Sequence, residues 1–200
     1  MRSWHVCRDA LIAGHIDIAF YQGKLYMLWR FTPGLFAFEL REDGPGVTVS
    51  RVEDCLIETL LPNPLEHNGA LSYNIVVWRG KLLLILRYYH GYQARHNVAK
   101  VEVFALDFST KPYGLTKIHG FGSDCIFVGS SGCKSFPAGL HDGVEGDLMY
   151  FVPDHYNPQD AFVYTMSDGR MRPFAVESSP GNIGTPEHYL GFPVWLFPSE

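Results

Sequence analysis

One phrase recurs three times in this chain: QGKLYMLW at 22–29, RGKLLLIL at 79–86 and EGDLMYF at 145–151. Its glycines are Gly23, Gly80 and Gly146, spaced by 57 and then 66 residues. Repetition at such a period means that one supersecondary unit is used several times, so the fold is an array or a propeller of similar pieces. In each unit an apolar stretch runs into a turn glycine and a second apolar stretch leaves it. Glycine supplies the positive φ that a two-residue hairpin turn requires. Gly23, Gly80 and Gly146 are therefore read as structural turn residues without chemistry of their own.

The rest of the chain has the texture of short strands. Ile16–Phe20, Lys24–Trp29, Leu35–Leu40, Ser72–Trp78, Lys81–Tyr88, Ala99–Asp107, Cys125–Gly129, Asp147–Val152, Ala161–Met166 and Val194–Phe197 are apolar or alternating, with Gly, Pro, Asp and Asn between them. A weaker fourth strand follows in each unit, at Val47–Val52, Leu115–Phe121 and Met171–Ala175. One helical stretch is expected, Val52–Leu61, cut short by Pro62 and Pro64. The expectation is an all-β chain, a partial β-propeller of about three to four antiparallel blades. Blade-like units lie near 16–60, 72–121 and 122–175, with a closing strand at 192–198, in a single domain over 1–200. A clasp between Ile16–Phe20 and Val194–Phe197 is expected to tie the ends together.

Composition narrows the function. The chain is 46% hydrophobic and 18% charged, as a globular domain is and a disordered one is not. The net charge is −5, and the densest basic stretch, Arg87 to Lys100, holds only three cations, so nucleic acid is not an expected partner. No apolar run is long enough to span a membrane. The four cysteines form no CxxC pair and no Asn-x-Ser/Thr sequon occurs, which points to an intracellular setting, cytoplasmic or nuclear.

Motifs for catalysis or cofactors do not survive inspection. GSSGCKS (129–135) has Cys133 where a phosphate loop needs glycine, one residue too few before Lys134, and Pro137 where a helix should run. The same Cys133 spoils a nucleophile elbow. Among nine histidines only His90 and His96 are close, too few for a zinc site, and DHYNPQD (154–160) lacks the donor density and glycine of a calcium loop. No catalytic residue, metal or cofactor is expected. One stretch, RYYHGYQARH (87–96), suits recognition, because Tyr and Arg bury much area and still form hydrogen bonds. Tyr88, Tyr89, His90, Tyr92, Arg95 and His96 are its candidate partner-binding residues. The alternative is that Tyr88 and Tyr89 continue the strand and pack.

Six segments in order, IDIAFYQGKLYML (16–28), GLFAFEL (34–40), VVWRGKLLLILR (76–87), KVEVFALDF (100–108), FGSDCIFVG (121–129) and GFPVWLFPS (191–199), resemble the plant F-box-associated domain family long labelled a domain of unknown function, also described as a KIB-type β-propeller domain. The resemblance implies a substrate-recognition propeller of a ubiquitin ligase, whose protein partner is unknown. It departs at Tyr113, where the family often has Trp, and at Asp147, where it often has Asn. Residues 1–20 contain no counterpart of the leucine-rich F-box, so docking of a Skp-type adaptor is not expected. The expected role is a non-enzymatic interaction module. Two alternatives remain: a truncated, weakly functional remnant, and a kelch-like propeller that binds a small ligand or acts as an enzyme.

Overall fold

The computed structural model describes residues 16–29, 34–44, 46–57, 71–90, 98–129, 132–140, 143–152 and 161–174. These form thirteen strands and, among the described residues, no helix. The first sheet is β1 (Ile16–Tyr21), β2 (Lys24–Trp29), β3 (Leu35–Asp43) and β4 (Gly46–Asp54), in that spatial order. The second is β5 (Leu71–Trp78), β6 (Lys81–Tyr89), β7 (Val98–Asp107) and β8 (Gly114–Lys117), again in order. The third holds β9 (Asp124–Gly129), β10 (Gly132–Pro137), β11 (Leu148–Phe151), β12 (Phe162–Thr165) and β13 (Met171–Pro173), arranged β10-β9-β11-β12-β13. The chain is thus all-β, a partial β-propeller whose described part is three blade-like sheets. The closing strand at 192–198, and with it the clasp to Ile16–Phe20, lies outside the described residues.

The second sheet sits in the middle, and its sequence shows why. Leu82 to Leu86, the LLLIL of the repeated phrase, are all 0% exposed. A strand with one wet face alternates apolar and polar residues; one buried on both faces reads as a continuous apolar run. Leu82, Leu84 and Leu86 pack with Tyr73 and Ile75 against Tyr21, Tyr26, Leu28, Leu35 and Ala37 of the first sheet. Leu83 and Ile85 face the other way, with Val76, Val101 and Val103, onto Ile126, Val128, Met149 and Phe151 of the third. Rings seal both joints: Phe108 lies 5.0 Å from Tyr113 and 5.6 Å from Tyr26, and Trp78 meets Phe121 edge-on at 5.3 Å.

The inner strands β1, β5 and β10 lie side by side and share one polar knot. Asp17 on β1 is 2% exposed. Its Oδ2 accepts from Asn74 Nδ2 at 2.8 Å, from the Ile75 backbone N–H at 3.0 Å and from the Cys133 thiol at 3.3 Å. Asn74 Oδ1 in turn accepts from the buried Arg87 at 3.0 Å, whose guanidinium lies over the Phe151 ring at 5.6 Å. One carboxylate therefore joins all three sheets. Further out, Tyr21 donates to the Gly80 carbonyl at 2.8 Å, Ser135 to the Val77 carbonyl at 2.7 Å and Tyr164 to the Val101 carbonyl at 3.2 Å, each bond crossing a joint.

The turn glycines divide into two kinds. Gln22-Gly23 (φ 47° and 77°) and Arg79-Gly80 (φ 45° and 68°) close the β1-β2 and β5-β6 hairpins with positive φ at both central residues, the turn whose twist suits antiparallel strands. Gly146 does not do this, and the third phrase corrects the expectation. No described strand leads into it; β11 pairs parallel with β9 and antiparallel with β12. The positive φ falls on Asp147 (60°). Gly146 instead meets the start of β9 so closely that a Cβ would lie 2.7 Å from the Gly122 carbonyl oxygen. Two further expectations change. The helix at 52–61 is absent from its described part: Val52–Asp54 finish β4, and Ile57 makes an isolated parallel bridge to Tyr113. A strand not expected from the sequence, β10, forms from GCKSFP and places Lys134 and Ser135 in a sheet.

Two stability measurements test this construction. Asp17→Ala leaves the Asn74 amide and the Ile75 N–H buried without their acceptor and is expected to cost about 3 kcal/mol. The urea midpoint should fall with an unchanged m-value; a loss below about 1 kcal/mol would show that the knot is not structural. Gly146→Ala should cost about 1–3 kcal/mol through its clash with backbone, and a wild-type midpoint would contradict the close approach.

Candidate functional site

The loop singled out by sequence is only partly described. Tyr92, Arg95 and His96 lie outside the described residues. Tyr88 and Tyr89 are the last two residues of β6 and, as strand neighbours, point to opposite faces. Tyr88 is half-buried and donates to Glu102 Oε2 at 2.7 Å. Tyr89 is half-buried too, its hydroxyl 3.1 Å from Ser72 Oγ, with the Arg87 guanidinium over its ring at 5.9 Å. His90 follows as an exposed residue. The structure therefore builds both tyrosines into the second sheet and does not gather them into one patch.

The perturbed acids are structural ties. Glu53 on β4 is held down to about 2 by the Lys111 ammonium (2.9 Å) and the Tyr113 hydroxyl (3.0 Å), with Lys24 adding at 3.4 Å. This joins the first sheet to the loop before β8. Burial pushes Glu102 up, but Lys117 (2.7 Å), Lys100 (2.9 Å) and Tyr88 together outweigh it and bring it to about 2. Asp124 is lowered by Arg79 against its burial, and also accepts from the Trp78 indole at 2.8 Å, tying β9 to the second hairpin. Burial raises the Cys55 and Cys125 thiols to about 11, far from the reactive range. Among the described residues no group of three or more His, Cys, Asp or Glu could hold a metal ion.

The feature that stands out is the far face of the first sheet. Cross-strand partners share a face, and the register lines up Ile18 with Met27 and Phe36, then Phe20 with Leu25, Phe38 and Val52. Past a register shift at Glu39/Leu40, Leu40 pairs with Val49 and Glu42 with Val47. Ten apolar side chains thus lie on one face: Ile18 and Phe20; Leu25 and Met27; Phe36, Phe38 and Leu40; Val47, Val49 and Val52. Phe20 is 62% exposed, Ile18 55%, Val47 62%, Val49 53% and Val52 55%. At about 4.8 Å between strands and about 3.3 Å per residue, a face four strands wide and five residues long measures about 14 by 17 Å. The β3-β4 hairpin continues it outward, exposed on both sides from Leu40 to Gly44 and Gly46 to Val52. The largest apolar patch on a soluble protein is typically about 300–600 Å² and often functional, and this face with its outward hairpin approaches that size.

This face went unnoticed in the sequence although its signal is present. β1, β2 and β3 alternate two apolar sets: Ala19 and Tyr21 against Ile18 and Phe20, Tyr26 and Leu28 against Leu25 and Met27, Leu35 and Ala37 against Phe36 and Phe38. A sheet whose alternate positions are both apolar needs cover on both sides.

A family model for the KIB1-4 beta-propeller matches residues 1–165. The chain belongs to this family. No curated protein and no solved structure matches it. Membership in the KIB1-4 beta-propeller family agrees with the three sheets and their shared inner edge. Among the described residues, no helix is long and apolar enough to cross a membrane.

The two acid clusters make a pH prediction. Glu53 and Glu102 have folded-state values near 2, below the 4.5 of an unfolded glutamate. Their stabilisation is therefore fully present above about pH 4.5 and is lost as pH falls through about 2. The urea midpoint should drop across that window, and Glu102→Gln should lower the midpoint at pH 7 while flattening the acid slope. An unchanged slope would remove Glu102 from the joint.

Proposed function

We propose that this domain is a non-enzymatic protein-interaction module, of the kind that recognises substrates in plant F-box proteins. The observation that carries this reading is the exposed apolar face of the first sheet. A propeller scaffold is rigid, so a surface displayed on one blade is presented without ordering cost in the blade itself. The titratable clusters support the reading in a second way: Glu53, Glu102 and Asp124 are each saturated by partners from a neighbouring element. The family resemblance supplies the finer proposal, that the partner is a protein delivered to a ubiquitin ligase, in an intracellular compartment.

The same face also suits a second reading, a weakly functional propeller domain whose apolar face has no specific partner. Such a face would bind nothing selectively and would promote aggregation. Position-resolved cross-linking separates the two. A photoreactive phenylalanine analogue is placed at Ile18 or Val49 on the face, and at Asp168 or Arg170 on an exposed turn as controls. In cells that make the protein, discrete adducts are expected from the first pair only. Equal yields from both pairs, or only a smear of aggregate, would overturn the interaction reading.

A further inference from the structure

We draw no further inference here: the strongest candidate, the exposed apolar face of the first sheet, carries nothing beyond the interaction role already proposed for it, because nothing in the structure shows what covers it.

Discussion

The three sheets depend on one buried carboxylate. Asp17 comes from the innermost strand of the first sheet, Asn74 and Ile75 from that of the second, and Cys133 from that of the third. Sheet packing alone does not fix how blades sit about an axis, because apolar faces slide with little change in buried area. A charged acceptor with three donors from two other strands does fix it. Charge-assisted bonds are directional and roughly twice as strong as neutral ones, and leaving any of these groups unpaired in the interior is costly. Arg87 brings a cation to the same region through Asn74, so the buried negative charge is not isolated. The apolar joints then supply the bulk of the stabilisation, and the knot selects the arrangement.

That division explains what could be read from the sequence and what could not. LLLIL reads as an apolar strand after its turn glycine, and the structure buries it on both faces as part of the middle sheet. The glycines at 23 and 80 follow a strand and precede another, and both sit in hairpin turns. The glycine at 146 has the same local spelling and a different job, because close approach to the Gly122 carbonyl is a tertiary fact with no trace in EGDLMYF. Strand β10 was missed since GCKSFP is short, polar and ends in proline; it forms because β9 offers an edge. VEDCLIETLL carries a helical pattern, but Val52–Asp54 pair with β3 and that pairing overrides local preference.

The candidate site shows the same limit more sharply. Tyr88 and Tyr89 attract attention because tyrosine is common at contacts, yet consecutive strand residues face apart and each here finds a partner inside the sheet. Residue type suggested a site; strand geometry divided it. The far face of the first sheet has the opposite character. None of its residues is unusual alone, and Ile18 or Val49 looks like any strand residue. Only the register shows that they form one surface, since a shift of a single position would turn Phe36, Phe38 and Leu40 to the other side.

A final consequence concerns why this face tolerates exposure. A long, apolar edge strand is an aggregation hazard that folds normally blunt. Here β4 carries the extra residue Ser50 opposite the register shift at Glu39/Leu40, with Arg51 near its middle and Asp54 at its end. Thr48 and Ser50 turn their hydroxyls back to the Arg41 and Glu39 carbonyls at 3.5 and 3.1 Å. The bulge bends the strand and the charges discourage another strand from pairing along it. These devices protect the edge and leave the face alone. A surface that had to avoid all association would be polar on the face too. The combination of a guarded edge with an apolar face directs contact to sheet-on-sheet packing, the same contact that already joins the first sheet to the second.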